Sequence, residues 1–471
     1  MSWFKSKRYP SGILQPHGLQ NNGLHDGVDA LKQTVSRKPK NPFRRFQSFN
    51  RCASLESFRN LRAKRESRQG KRLTPRGRRW YFRPDCQSKG GCMVKKIVSA
   101  DGHMDLFYLP VDTFTSRAPS QLKARVPHVE QIDGKPFWVG DGAVMGGHAA
   151  WMGRGQMSTH RGRRMAEAGW EPSHPPDPKL RLADLDLDGV DAEVIYGIRF
   201  IEDSIKDPVV IAVTYRAYND FIAEFCSYNP RRFVGIGNIP ASSAEAAAAE
   251  IRRIGKNGLG LRGGMVDWFN GPEPIWHAMW EPMWAAAEEH NVALSFHIGV
   301  GHGTTTCGPT TVEQKLKGDL PRVSAATHQA VVAMQADECL VAILLCGALE
   351  RHPGLKVVMA ESHIGWIPYV LERLDVKFKE GAYQDLIRTL PSNLFGRQMW
   401  ATFQDDRVGA LLAHEYGSDS FCWASDYPHA DGIFPDSQSF IRDTMAHLDE
   451  TLRQKLTFSN AARLYNLDWL L

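Results

Sequence analysis

The chain reads as an α/β protein folded into a (β/α)8 TIM barrel, with loop insertions on the C-terminal face. Two observations predict this. From residue 93 onward, eight short runs of β-branched and small apolar residues are separated by helix-length amphipathic segments, the pattern of parallel βα units. Four of those runs end in metal-ligating residue types: Asp101-Gly102-His103 after VKKIVSA, His297 after NVALSF, Glu361-Ser362-His363 after LKVVMA, and Asp426 after SFCWAS. A (β/α)8 barrel opens the C-terminal ends of all its strands on one face, where enzymes of that fold keep their chemistry.

The expected strands are 95–100 (KKIVSA), 193–197 (EVIYG), 233–238 (FVGIGN), 258–262 (GLGLR), 292–297 (VALSFH), 355–360 (LKVVMA), 398–402 (QMWAT) and 420–425 (SFCWAS). Helices fill 208–228, 242–255, 275–290, 326–351, 366–381, 405–415 and 437–447. The second of these has Ser before an Ala/Glu-rich run and Gly to stop it. Two polar, Gly- and Pro-containing stretches, 104–180 and 299–323, leave from the C-terminal face. Each is read either as a lid over the pocket or as a surface loop or oligomer contact.

Charge divides the chain. Residues 1–92 hold 22 Lys+Arg against 5 Asp+Glu, a net +17, while residues 93–471 hold 36 against 47, a net −11. The acidic body does not point to nucleic acid. The first 92 residues lack sustained apolar periodicity and are expected to be disordered. The preferred reading is an upstream extension of the gene ahead of a start at Met93; a targeting presequence and a basic arm for an acidic partner are the alternatives. None of the eight cysteines forms a CxxC pair, and several lie in apolar segments, which favours a reducing, cytoplasmic setting. Apolar stretches such as CLVAILLCGAL fall short of the ~20 residues that span a bilayer, so no membrane partner is expected.

In an extended segment, side chains two apart point the same way, so Asp101 and His103 offer an oxygen and a nitrogen to one ion. His297 adds a nitrogen and Asp426 an oxygen. Mixed N/O ligation suits one divalent ion, Zn²⁺ in the first instance, with Mn²⁺ or another first-row ion as alternatives. Taken singly, each of these residues reads more simply as a hydrogen-bonded structural group. Their joint arrival at one face is what favours a metal.

The motifs D-G-H, S-F-H-I-G, H-P-G-L-K-V-V-M-A-E-S-H-I-G-W-I-P-Y-V-L-E-R-L-D and A-S-D-Y-P-H-A-D-G-I-F-P make residues 93–471 resemble the amidohydrolase superfamily, in the branch of 2-amino-3-carboxymuconate-6-semialdehyde decarboxylase. The resemblance implies a single catalytic metal held by Asp101, His103, His297 and Asp426. The fourth strand exit, GLGLRGGMVDW, lacks the Lys that two-metal members use. Two departures stand out. The first strand carries Asp-x-His in place of His-x-His or Glu-x-His. At the sixth strand, Glu361 and His363 both remain candidates for the acid–base residue.

The implied activity is non-oxidative decarboxylation of a small carboxylated cyclic or unsaturated substrate by a homodimeric enzyme. Metal-assisted hydrolysis of an ester, lactone or amide, with Asp426 taking a proton from water, is the rival. A non-catalytic barrel scaffold is a third reading. Arg262 reads either as a fork for a substrate carboxylate or as a structural ion pair. His429 reads as a group orienting the site or as a loop residue.

Overall fold

The computed structural model describes residues 96–148, 160–199, 201–298, 330–429 and 432–470, with the side chains of 160–162 left out. The expectations for residues 1–92 and for the 299–323 insertion lie outside the described residues. Among the described residues, eleven strands form two sheets. In chain order they are β1 (Val98–His103), β2 (His128–Ile132), β3 (Lys135–Gly140), β4 (Ala143–Gly147), β5 (Ala192–Tyr196), β6 (Phe233–Ile239), β7 (Gly263–Val266), β8 (Ala293–His297), β9 (Val357–Ala360), β10 (Met399–Phe403) and β11 (Phe421–Trp423).

Eight strands, in the order β1-β5-β6-β7-β8-β9-β10-β11, pair in parallel as the barrel. The ring closes where Asp426 N donates to Asp101 O (3.0 Å) and His103 N to Tyr427 O (2.7 Å). Ser99 Oγ stands 3.0 Å from Ser425 Oγ across the same seam. Apolar side chains such as Val98, Ala100, Val194, Ile236, Val358 and Trp400 fill the interior together with Phe458, Ala462 and Leu467 from the chain's last turns. The outer helices pack on the barrel with conventional ends. Asp177 caps Pro178–Asp188, Asp207 caps Pro208–Ser227 and Ser243 caps Ala244–Ile254.

The structure corrects one expectation and adds detail to two other regions. The fourth barrel strand is Gly263–Val266 rather than 258–262. Residues 255–261 instead wrap the end of the preceding helix, with Leu259 N bonded to Arg253 O and Leu261 N to Ile254 O, and Gly260 at φ +76°. The alternation in GLGLR is therefore the signature of a helix-terminating turn.

Second, the 104–180 insertion is no plain loop. It carries the antiparallel sheet β2-β3-β4, whose two hairpins turn at Asp133-Gly134 and Asp141-Gly142, all four residues at positive φ. Trp138 anchors this sheet, fully buried and edge-on to Phe114 at 5.8 Å. Third, β1 is bulged: its register to β5 shifts between Ser99 and Gly102. Val98 and Ala100 face the interior. Strict alternation would then turn Asp101 and His103 outward, and the extra residue turns them inward.

Gly102 meets a close neighbour. A Cβ at that position would stand 2.1 Å from Glu193 Oε1. Glu193 is fully buried and accepts from Arg181 Nε at 2.7 Å, and Arg181 also donates to the His103 carbonyl at 2.9 Å. Gly102→Ala is expected to force this pair apart and to lower stability by about 1–3 kcal/mol, read as a lower urea midpoint at unchanged slope.

Candidate active site

The four residues expected to share a metal converge at the C-terminal end of the barrel. His103 Nε2 lies 2.9 Å from Asp426 Oδ1 and 3.4 Å from Asp101 Oδ1. His297 Nε2 lies 3.7 Å from Asp101 Oδ1 and 3.4 Å from Glu361 Oε2. The shorter aspartate of the Asp-x-His pair thus reaches the cluster. Thr402 holds it there, donating to Asp101 Oδ2 at 2.9 Å while accepting from Glu361 N at 2.6 Å.

Asp101 Oδ1, His103 Nε2, His297 Nε2 and Asp426 Oδ1 are all buried, and none has an aligned hydrogen-bond partner among the described residues. Buried polar atoms are normally paired. Four unpaired atoms, two nitrogens and two oxygens, pointing at one another fit a divalent cation. The exits that carry the site are also strained, with Glu361 (φ +53°), His363 (φ +50°) and Asp426 (φ +56°) in the left-handed region.

The electrostatics follow from burial and from which charges are adjacent. Burial, reinforced by the charge of His429, pushes the His103 imidazole down to about 4, leaving it neutral as a ligand must be. Burial opposes ionisation of Asp426, but His429 and His103 hold it well below the usual carboxylate range. Burial and the Asp426 charge push Glu361 well above that range. His429 sits between two carboxylates, 2.8 Å from Asp105 Oδ2 and 3.0 Å from Asp426 Oδ1, and its ring stacks on His103 at 4.1 Å. Burial would lower its pKa, but Asp426 and Asp105 raise it well above the ordinary value.

The two acid–base candidates part here. Glu361 enters the cluster. No hydrogen bond or ion pair among the described residues joins the His363 side chain to it.

Arg262 is corrected. It precedes β7 rather than following the strand, and its guanidinium stands 5.5 Å over the Trp469 ring. Trp469 belongs to the terminal segment that covers the N-terminal end of the barrel, where Lys356 donates to Leu464 O just before β9. The guanidinium beside the cluster is Arg199, three residues beyond β5. It lies 3.4 Å from His297 Nδ1, 3.5 Å from Glu361 Oε2 and 3.8 Å from Asp105 Oδ1. Sequence reasoning missed both Arg199 and Asp105. Asp105 was findable as the next step of the Asp101-x-His103 alternation, whereas Arg199 carried no pattern.

Together, a closed parallel barrel and a buried His/carboxylate cluster at its strand exits are the arrangement of an amidohydrolase-type barrel. The family profile described as Amidohydrolase (Amidohydro_2) matches residues 159–467, and the chain belongs to that family. The 2-amino-3-carboxymuconate-6-semialdehyde decarboxylase of Dictyostelium discoideum is 25% identical over 304 residues, spanning 62% of this chain and 77% of its own. An amidohydrolase from Mycobacterium avium subsp. paratuberculosis superposes with a TM-score of 0.61 at 18% identity, over 79% of this chain and 99% of its own. A dihydroxybenzoic acid decarboxylase from Polaromonas, crystallised with manganese and the inhibitor 2-nitroresorcinol, gives 0.53 at 16% identity, over 79% and 97%.

A second acidic group lies on the same face. Glu202 Oε1 accepts from Ala241 N at 3.2 Å, and Asn270 bridges Asp203 and Asp267 at 3.0 Å each. Burial, then the Asp267 charge, pushes Glu202 up to about 8. An unfolded glutamate titrates near about 4.3. The folded chain therefore holds the extra proton between these values. The stability carried by neutral Glu202 is complete below about 4.3 and is lost as the pH climbs through about 8. Glu202→Gln is expected to flatten that decline, measured as a smaller difference between urea midpoints at pH 5 and pH 9 than in the parent protein.

Proposed function

We propose that this protein is a metal-dependent, non-oxidative decarboxylase of a small cyclic or unsaturated carboxylate. The observation that carries the reading is the set of four unpaired buried donor atoms on Asp101, His103, His297 and Asp426. These residues would hold one divalent ion. When bound, that ion would draw electron density from a substrate carboxylate or a neighbouring oxygen. Family membership and the decarboxylases among its relatives support the reaction class.

The chain's own groups divide the remaining work. Arg199, buried beside Glu361 and His297, would orient the anionic substrate. Glu361, held neutral by burial and the neighbouring Asp426, is the group in the cluster suited to deliver a proton to the carbon from which CO₂ departs. His429, clamped by Asp105 and Asp426, would fix the orientation of Asp426. The complete donor set speaks against the scaffold alternative.

Zn²⁺ is the metal we favour for two imidazoles and two carboxylates. Manganese in the Polaromonas enzyme supports Mn²⁺ as the alternative. A homodimer and a cytoplasmic setting complete the proposal. The second is supported by free Cys226, Cys339, Cys346 and Cys422.

Elemental analysis of the full chain is expected to find about one Zn or Mn per chain, lost in both Asp426→Asn and His297→Ala. Absence of metal, with no uptake on adding ions to folded protein, would sink the metal reading. A panel of aromatic carboxylates and matched esters is expected to release CO₂ from the acids and leave the esters intact. Ester cleavage without CO₂ would move the assignment to a hydrolase. Glu361→Gln is expected to cut CO₂ release by about 10²-fold or more while metal content holds. Light scattering reads the dimer.

A further inference from the structure

Tyr108 has a buried hydroxyl that no described residue bonds. The residue is 4% exposed, and its Oη has no hydrogen-bond partner among the described residues. It ends the single turn Leu106–Tyr108 that leaves β1 directly after Asp101, His103 and Asp105, and its backbone N donates to Asp105 O at 3.0 Å. Its ring stands perpendicular to Trp170 at 6.3 Å, in a cluster with Met165, Tyr427 and Phe434.

The other polar groups of that cluster are satisfied. Trp170 Nε1 donates to Tyr427 Oη at 3.0 Å, and Tyr427 Oη donates to Asp184 Oδ2 at 2.6 Å. Phe434 shows that a bare ring packs in these surroundings. Burial, together with the charges of Asp105 and Asp426, pushes the Tyr108 phenol well above its ordinary acidity range, so it remains a neutral donor. The turn that carries Tyr108 follows the strand exit of Asp101 and His103, and its ring shares a buried cluster with Tyr427, the residue after Asp426. An unpaired buried hydroxyl is a standing cost that Phe would not carry.

We infer that Tyr108 is a substrate-positioning residue, whose Oη donates a hydrogen bond to an oxygen of a small anionic ligand seated at the Asp101–His103–His297–Asp426 cluster. The ligand's identity rests on the decarboxylase reading; the location of the free donor does not. In the ligand-free protein the hydroxyl lacks an acceptor, and the bound anion supplies one.

The test compares full-length Tyr108→Phe with the parent protein, both loaded with Mn²⁺. Metal per chain, thermal midpoint without ligand, and calorimetric affinity for 2,6-dihydroxybenzoate and for acetohydroxamate are measured. The expected result is equal metal content, a midpoint unchanged or raised, and affinity weakened by about ten-fold or more. Equal affinities overturn the inference. So does a lowered midpoint or lost metal, because the hydroxyl would then serve the fold or the cluster. If the parent protein binds neither 2,6-dihydroxybenzoate nor any acid of the CO₂-release panel, the decarboxylase reading fails by itself. Acetohydroxamate, which a bound divalent ion holds whatever the reaction, still decides on Tyr108: a ten-fold loss supports the inference and equality overturns it.

Discussion

The seam between the first and last barrel strands is the constraint on which the site depends. Two backbone hydrogen bonds, from Asp426 N to Asp101 O and from His103 N to Tyr427 O, lock the exits of β1 and β11 together. They fix three of the four clustered donors at once. The bulge in β1 supplies the other half of the geometry, since it turns Asp101 and His103 towards the barrel axis. A one-residue change of register would send the same side chains into the helix layer. Glu193 and Arg181, packed behind Gly102, support this strand from outside.

The charges gathered at the seam do not balance among themselves. Asp101, Asp105, Glu361 and Asp426 bring four carboxyl groups, against the cations of Arg199 and His429. Like charges in a buried site repel strongly because little water screens them. The shifts express this conflict. His103 gives up its proton, Asp426 keeps its charge because His429 is at hand, and Glu361 retains a proton. With Glu361 neutral, Asp101, Asp105 and Asp426 still outnumber Arg199 and His429, and a cation at the cluster would give each unpaired atom a partner.

Much of this was legible beforehand because it depends on local periodicity and on residue chemistry. Seven of the eight barrel strands fall where apolar runs predict them, and Asp101, His103, His297 and Asp426 reach one cluster. What escaped depends on backbone conformation that composition does not encode. Gly260 in the left-handed region converts an apparent strand into a helix end, which carries Arg262 to the far side of the barrel. The β2-β3-β4 sheet is half exposed and therefore lacks a strong apolar alternation, although its two Asp-Gly turns were readable. Arg199 comes from a strand exit with no motif, and only the folded barrel brings it to His297.

The closing hydrogen bonds also set an order of events in the making of the protein. Residue 103 must wait for residue 427, and the interior is finished only by side chains near the chain's end, Tyr465 and Leu467 among them. During synthesis the first strand emerges with no mate on its outer edge, carrying Asp101 and His103 long before Asp426 exists. Contacts of such sequence separation form late. The two halves of the cluster therefore meet only when the ring shuts, and a metal ion captured there would be held by a barrel that has just become whole.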